Sequence, residues 1–281
     1  MNILVDDIKV EVLSTTMFQK NLSKYKEMNI QTDVIFANQD DRYEYVEENR
    51  NGNIVKMITT PFRGVGKNRN MALLYSSSDI ILFSDDDMVF AEGYEIGIKD
   101  VFKQLPDADI IIFNIGVIGK DNGIRINSRP KKVYLFNVLN YGMPRIAVRK
   151  TALEKSNIWI TTLFGGGSKY CGGEDNLFLV TALKKGLKIY AHPFFIGSVK
   201  TGKSSWFIGF NEKYFFDNGA FLETAFPILK HLFVWYFALK FSKKTELSVI
   251  QIWKLQYQGM KAFQKGLGYD EWKKETVNRK Q

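Results

Sequence analysis

The chain has 281 residues, of which 45% are hydrophobic, so it can bury a core and is not expected to be disordered. The single cysteine, Cys171, excludes an intrachain disulfide framework and a zinc site built from cysteines. The formal net charge of +9 is compatible with nucleic acid, an anionic membrane surface or a phosphate-bearing substrate. Because Met1–Asp7 is acidic rather than basic, we expect no secretory signal peptide and a cytoplasmic location.

The positive charge is concentrated towards the C-terminus. Residues 1–220 contain 28 Lys and Arg against 25 Asp and Glu, whereas residues 221–281 contain 11 against 5. The second region also holds the most apolar stretch, Phe221–Phe241. This shift predicts one large domain over 1–220 and a basic, amphipathic helical region over 221–281.

Short apolar runs rich in Val and Ile predict buried strands in the first half of the chain. They are Lys9–Ser14, Thr32–Ala37, Ile54–Thr59, Asp79–Ser84 and Ala108–Ile115. The segments between them have helical spacing, as in Ile98, Val101, Phe102 and Leu105, after which Pro106 predicts a helix end. This alternation predicts an α/β fold with a mostly parallel sheet, whose ligands bind at the carboxyl ends of the strands.

A further helix is predicted over Asn176–Lys185, with Gly186 as its C-terminal stop and a short strand, Lys188–Ala191, after it. Glycines at 165–167 and 172–173 predict a flexible loop before this helix.

Three consecutive carboxylates, Asp85, Asp86 and Asp87, directly follow the apolar run Ile80–Phe83. Adjacent carboxylates repel one another unless a cation lies among them. Their oxygen atoms suit Mg²⁺ or Mn²⁺, which often bridge to substrate phosphates. The alternative is a solvated acidic turn, but the position after a strand favours a ligand site.

A glycine-rich basic segment, residues 63–70, precedes the helical run Met71–Tyr75. Its sequence is Arg-Gly-Val-Gly-Lys-Asn-Arg-Asn. Backbone N–H groups at a helix start, together with Arg and Lys, favour phosphate. An ordinary basic loop explains the segment alone equally well, but the acidic run follows closely and favours a phosphate cradle beside a metal site.

The segment Gly172-Gly173-Glu174-Asp175-Asn176 stands at a predicted helix start. Taken alone, its acidic residues are most simply explained as complementing the helix dipole. The functional interpretation is a carboxylate general base carried by a glycine-hinged loop.

With these features in this order, the chain resembles the GT-A glycosyltransferases, specifically the inverting family 2. The residues that carry the resemblance are Ser14-Thr15-Thr16, Gly64–Asn70 with Arg69-Asn70, Asp85-Asp86-Asp87 and Gly173-Glu174-Asp175. It covers roughly residues 8–200, and the downstream segment Ser205–Phe216 is similar to a bacterial polysaccharide-synthesis subgroup.

The resemblance implies a Rossmann-like GT-A domain with a nucleotide-sugar half of about 1–115, an acceptor half of about 116–220 and a helical C-terminal appendage. The nucleoside would be held by Ser14, Thr15, Thr16 and Asn38, and the base or pyrophosphate by Arg63, Gly66, Arg69 and Asn70. Asp85, Asp86 and Asp87 stand where the family's DxD motif binds a metal ion and the sugar nucleotide, which leaves open which pair is the working motif. We take Asp85 and Asp87 as metal ligands and Asp86 as a donor contact.

Asp175 matches the catalytic base of the family, and Glu174 beside it would orient the acceptor or the loop.

Two positions depart from the pattern of the family. Asn38-Gln39 precedes Asp40-Asp41 where many relatives place an acid for uracil, and Val199–Lys203 replaces a late histidine, so that Lys200 or Lys203 would neutralise the diphosphate.

The resemblance implies a hexosyltransferase that uses Mn²⁺ or Mg²⁺ and inverts the anomeric carbon. It would move a sugar from a nucleotide-sugar, for which we expect a UDP-sugar, to a saccharide or lipid-linked acceptor in surface polysaccharide synthesis. One alternative is a sugar-nucleotide nucleotidyltransferase, but such enzymes usually carry a glycine-rich loop after the first strand and Val12–Thr16 has none. Another is a basic nucleic-acid-binding protein, which the acidic triplet disfavours; we expect no nucleic-acid partner.

The C-terminal region admits two interpretations. Phe221–Phe241 contains charged residues and a proline, so it is not expected to cross a membrane. Further on, Val249, Ile252, Trp253, Tyr257 and Met260 share a helical face, and Lys254, Lys261 and Lys265 form an adjacent stripe. Such a region fits either peripheral contact with the inner face of the cell membrane, or packing and homo-oligomerisation.

Overall fold

The computed structural model describes residues 8–118, 126–200 and 208–278. The chain divides into two compact units. The sheet unit contains the described residues within 1–160 and 178–203, and the helical unit those within 161–177 and 204–281.

The sheet unit is built around ten strands in the described part of the chain. They are β1 (Val10–Met17), β2 (Asp33–Gln39), β3 (Glu44–Arg50), β4 (Asn53–Thr60), β5 (Ile80–Asp85), β6 (Met88–Phe90), β7 (Ile110–Ile118), β8 (Lys131–Lys132), β9 (Ile146–Arg149) and β10 (Ile189–Lys200). Their order is β3-β4-β2-β1-β5-β9-β7-β10-β6, and β8 pairs with β10. Among these strands β1, β2, β4, β5, β7 and β10 run in one direction, which confirms the mostly parallel sheet.

The five predicted strands are all present, as β1, β2, β4, β5 and β7. The sequence analysis missed β3 because this edge strand is largely polar and exposed, with the sequence Glu-Tyr-Val-Glu-Glu-Asn-Arg. A hairpin signal was available, since Asn51-Gly52 joins β3 to β4 with positive φ at both residues. The analysis also missed β9, a short antiparallel strand between β5 and β7.

The helices that flank the sheet are α1 (Lys24–Glu27), α2 (Val65–Tyr75), α3 (Tyr94–Gln104) and α4 (Lys150–Ser156), and the later turns of α5 (Glu174–Lys184) belong to the same unit. Helix α3 buries Ile98, Val101 and Phe102 and ends before Pro106, as its spacing predicts. Helix α5 begins earlier than predicted, at Glu174. The short strand predicted over Lys188–Ala191 is the beginning of the longer β10.

The helical unit contains α6 (Glu212–Ala225), α7 (Lys230–Phe241), α8 (Val249–Gln264) and α9 (Tyr269–Asn278). One expectation needs correction. The predicted domain boundary at residue 220 falls inside α6, because this whole helix packs within the helical unit. The apolar stretch Phe221–Phe241 forms parts of two helices, since Pro227 cannot continue α6. Within the described ranges, we find no helix that is long and apolar enough to cross a lipid bilayer.

Glycines bring the backbones of α6 and α8 into contact. A Cβ added at Gly259 of α8 would lie 1.8 Å from the carbonyl oxygen of Phe216, and one added at Gly219 of α6 would lie 2.0 Å from that of Gln256. Both distances are far below van der Waals contact, so the two helices can approach this closely only with hydrogen at both positions.

We predict that Gly259→Ala destabilises the protein by about 1–3 kcal/mol, because the methyl group forces α6 and α8 apart. In an open helix the same change would stabilise by up to about 1 kcal/mol, so the sign of the effect tests the packing. Gln258→Ala, at an exposed position of α8, serves as the control and should change stability by less than about 0.5 kcal/mol. Urea denaturation of the three proteins measures the difference, and a stabilising Gly259→Ala would contradict the close contact.

Candidate active site

The predicted strand-end residues lie together at the carboxyl ends of β1 and β5. These strands are parallel neighbours, with Thr15 in register with Asp85. The Thr15 hydroxyl donates to Asp85 Oδ1 at 3.1 Å, and the Thr16 hydroxyl donates to Asp86 Oδ2 at 2.9 Å. The end of β1 therefore orients two of the three carboxylates.

Arg69 of α2 provides the charge that balances Asp85. Its guanidinium Nη2 donates to Asp85 Oδ1 at 2.9 Å, and the side chain of Arg69 is only 3% exposed. A buried guanidinium requires a close carboxylate, since an unpaired buried charge is strongly unfavourable. Arg69 thus ties the first turns of α2 to the end of β5.

Asp87 has a different environment from Asp85. Partial desolvation of its carboxyl, followed by repulsion from Asp85 and Asp86, raises the pKa of Asp87 to about 6, although the side chain still reaches solvent. Its backbone carbonyl accepts a hydrogen bond from the Lys200 amide at 2.9 Å, which places β10 beside the acidic run. A cation near Asp87 would relieve the repulsion that raises this pKa.

Two lysines stand beside the acidic run. Lys200 ends β10 and is exposed. Lys24, which the sequence does not single out, donates a hydrogen bond from its Nζ to the Asp86 carbonyl at 3.2 Å. No motif marks Lys24, because it lies on the four-residue helix α1 and reaches Asp86 only through the fold. The predicted diphosphate ligand Lys203 lies outside the described residues.

The glycine-rich segment forms the start of α2. Gly64 precedes the helix with φ of +116°, a conformation that favours glycine, and Gly66 is buried in the first turn. The Gly64 amide donates to the Gln39 side-chain oxygen at 3.1 Å, which holds the turn against the end of β2. The predicted helix start is therefore present, at the same edge of the sheet as the carboxylates.

Several predicted ligand residues are occupied by bonds within the protein. Asn38 is fully buried, and its side chain forms three hydrogen bonds of 3.0–3.1 Å. The side-chain oxygen accepts from the Gln19 amide, and the side-chain NH2 donates to the Gln19 carbonyl and the Thr59 hydroxyl. Asn70 bonds both backbone groups of Ile160, at 2.8 and 2.9 Å.

Ser14 is likewise fully buried, and its hydroxyl has no partner among the described residues. Arg63 pairs with Asp41 and lies over the ring of Phe18. Asn38 and Asn70 therefore hold neighbouring backbone segments in place. Arg63 is half-buried, and Ser14 is buried within β1.

The predicted catalytic loop lies in the helical unit, where α6 supports it. Gly172 and Gly173 have φ of +66° and +92°, and they lead directly into Glu174 and Asp175 at the start of α5. The Asp217 carboxylate of α6 accepts a hydrogen bond from the Cys171 amide at 2.9 Å.

One turn later on α6, the Phe221 ring approaches Gly173 so closely that a Cβ there would lie 2.8 Å from the ring. Sequence analysis missed Asp217, a carboxylate 1% exposed that also pairs with Lys213 at 2.7 Å. The i, i+4 spacing of Lys213 and Asp217 was a visible signal.

The environments of Cys171 and His192 do not favour a catalytic nucleophile or its base. Burial and the neighbouring Asp217 raise the pKa of the Cys171 thiol to about 12, so this group stays protonated at neutral pH. Burial lowers the pKa of His192, and its Nδ1 accepts the Phe194 amide at 3.1 Å.

The carboxylates and the helix start lie at the carboxyl ends of the strands, which is where open α/β sheets bind their ligands. Residues 30–159 match the sequence model of glycosyl transferase family 2. This stretch belongs to glycosyl transferase family 2, and the protein is a glycosyltransferase. The match includes Arg69 and Asp85–Asp87 but ends before Glu174 and Asp175, whose roles remain predictions.

Solved structures confirm the GT-A fold. S. aureus TarS 1-349 in complex with UDP-GlcNAc has a TM-score of 0.61 and 12% identity, with 93% of each chain covered. The same protein in complex with UDP has a TM-score of 0.57 and 15% identity, over 84% of this chain and 72% of that one. A longer S. aureus TarS structure has a TM-score of 0.58 and 14% identity, over 84% of this chain and 44% of that one. No curated protein sequence matches the chain.

We predict that Gly173→Ala lowers transferase activity at least tenfold, because its methyl group would meet the Phe221 ring and displace the loop that carries Glu174 and Asp175. Gly172→Ala is the matched control. It also places alanine at positive φ, but no atom lies within 4 Å of the added methyl group, so only the backbone strain of about 1 kcal/mol remains. Steady-state kinetics and thermal melting of both variants test this, and equal activities would contradict a role for the Phe221 contact.

Proposed function

We propose that this glycosyltransferase moves a hexosyl group from a UDP-sugar to a hydroxyl of a saccharide or lipid-linked acceptor in surface polysaccharide synthesis, with inversion at the anomeric carbon and with Mn²⁺ or Mg²⁺. The observation that carries the proposal is the network of Thr15, Thr16, Arg69 and Asp85–Asp87 at one sheet edge, where such folds bind nucleotides. The UDP and UDP-GlcNAc complexes of S. aureus TarS, which share the fold, support a uridine donor.

The residues of the acidic run fit a divalent cation. Asp85 and Asp87 supply hard oxygen ligands. Desolvation, and after it the negative charge of Asp85 and Asp86, raises the pKa of Asp87, and a cation would offset both effects. Within the described ranges, no three acidic, histidine or cysteine side chains converge on one point. Further ligands of the ion would come from water or from the donor diphosphate, as is common for Mg²⁺.

Side chains of the protein position Asp85 and supply positive charge near the diphosphate. Thr15 and Arg69 hold Asp85 in place, while Lys24 and Lys200 bring positive charge to the diphosphate side of the site. When bound, the metal ion would help neutralise the charge that develops on the leaving diphosphate.

At the acceptor, Asp175 takes the hydroxyl proton as that oxygen forms a bond to the anomeric carbon. The bond from this carbon to the diphosphate oxygen breaks on the opposite face, so the configuration inverts, while Glu174 orients the acceptor or the loop. No observation in the described structure specifically favours a nucleotidyltransferase or a nucleic-acid-binding protein.

We expect Asp175→Asn to retain donor binding and to reduce transfer by about 100- to 10,000-fold, because the amide cannot accept the proton. Asp270→Asn is the matched control, since Asp270 is also an acid in the first turn of a helix, α9. If Asp175 only complements a helix dipole, both variants will behave alike. Calorimetric titration with UDP and kinetics of transfer separate binding from chemistry, and near-normal transfer by Asp175→Asn would show that the base is another group.

Chelation by EDTA should abolish activity, and added Mn²⁺ or Mg²⁺ should restore it. Asp87→Asn should raise the metal concentration needed for half-maximal activity at least about tenfold. Asp100→Asn, an exposed acid on α3, should leave it unchanged. UDP with Mn²⁺ should also raise the melting temperature of the wild-type protein more than UDP alone. Full activity after exhaustive chelation would remove the metal role of Asp85 and Asp87.

A further inference from the structure

Helix α7 is apolar on both of its sides. Val234, Phe237 and Ala238 are buried within the helical unit. The opposite side and the turn before it form the outer face of α7, which consists of Ile228, Leu229, Leu232, Trp235, Tyr236 and Leu239, between 45% and 90% exposed. A helix that is apolar all round is normally covered all round, so this exposed side requires a contact beyond the described chain.

Lysines are frequent in and after α7. Residues 226–265 contain seven lysines and one acidic residue, Glu246, although Lys230 pairs with Glu223 and Lys265 with Glu275. The end of α7 carries Lys240, Lys243 and Lys244, which form no ion pair within the described part of the chain. The Lys240 ammonium instead lies 5.4 Å from the centre of the Tyr236 ring, with its stem along the aromatic surface. The face therefore combines apolar side chains with uncompensated positive charge.

Aromatic residues extend the same surface to α8. The rings of Trp235 and Trp253 are 5.8 Å apart, and Ile250 at the start of α8 is 53% exposed. Tryptophan and tyrosine favour the boundary between water and lipid, because their rings are apolar and their N–H or O–H groups can still be hydrated. The composition of this surface matches that boundary.

Charge also distinguishes among the candidate partners. In a symmetric dimer through this face, each patch would meet a copy of itself, so Lys240, Lys243 and Lys244 would lie close to the same lysines of the second copy. A bilayer containing anionic lipids offers both hydrocarbon for the apolar side chains and negative headgroups for the lysines.

We propose that the outer face of α7 docks onto an anionic membrane surface. The 12 residues of α7 lie along the membrane plane. The side chains of Ile228, Leu232 and Leu239 enter the region between headgroups and acyl chains. Lys240, Lys243 and Lys244 contact the phosphate-bearing headgroups. This inference does not depend on the metal or on the catalytic base proposed above.

The test is flotation of the full chain with vesicles of phosphatidylglycerol and phosphatidylcholine, compared with vesicles of phosphatidylcholine alone. We expect binding to the anionic vesicles that weakens as salt is raised. Changing Lys240, Lys243 and Lys244 together to Gln should lower partitioning about 100-fold. The control changes three exposed lysines of the sheet unit, Lys26, Lys103 and Lys155, to Gln and should have little effect.

The apolar contribution is tested separately. Ile228→Ser, Leu232→Ser and Leu239→Ser combined should lower partitioning about 100-fold, because three side chains no longer enter the bilayer. The matched control is Leu74→Ser, Ile96→Ser and Ile126→Ser, which are equally exposed residues of the sheet unit. Circular dichroism melting verifies that every variant is folded.

Four results would overturn the proposal. The first is failure of the full chain to float with anionic vesicles, and the second is equal binding to both vesicle types. The third is unchanged vesicle binding by both α7 variants. The fourth is a dimer in sedimentation velocity that the apolar variant converts to a monomer, without any vesicle binding, since the face would then join two copies of this chain.

Discussion

The buried ion pair between Arg69 and Asp85 is the interaction on which the site in the sheet unit depends. The Arg69 guanidinium is almost fully removed from water, and burying its charge would be strongly unfavourable without a carboxylate at hydrogen-bond distance. The pair joins the start of α2 to the end of β5, and Thr15 adds a bond from β1 to the same oxygen. These contacts fix where the acidic run leaves the sheet. Asp85 is thereby paired with a cation of the protein itself, whereas desolvation and the neighbouring carboxylates raise the pKa of Asp87.

A second buried charge organises the helical unit. Asp217 is 1% exposed, pairs with Lys213 and holds the Cys171 amide, so α6 controls the loop that leads to Glu174 and Asp175. The close approach of α6 and α8 at Gly219 and Gly259 makes α6 a rigid support for that loop. In both units a buried ionic group holds the backbone next to the carboxylates that the sequence predicts to be functional. The aromatic and basic side of α7 has no such internal role, which is why we assign it to an external surface.

Much of the site was readable from sequence because the relevant residues are consecutive. Asp85–Asp87 follow an apolar run and Gly172–Asp175 precede a helical pattern, so both local geometry and chemistry are encoded within a few positions. Lys24 and Asp217 could not be assigned roles in this way, since they act on Asp86 and Cys171, residues far from them in the chain. For Asn38 and Asn70 the structure adds a role that the sequence does not reveal. Their side-chain amides form hydrogen bonds with Gln19, Thr59 and Ile160 within the fold, and their contact with a ligand stays a prediction.

The sequence by itself determined the alternating strands and helices, the mostly parallel sheet and the clustering of acids at a strand end, because hydrophobic period and strand direction are local properties. It also showed that positive charge gathers in the last part of the chain. Only the tertiary structure decided that β9 runs antiparallel between β5 and β7, and that α6 belongs wholly to the helical unit. It alone separated the buried side of α7 from its exposed side. These features depend on which residues distant in sequence come into contact, and a helix that is apolar all round carries no periodic signal to tell its two sides apart.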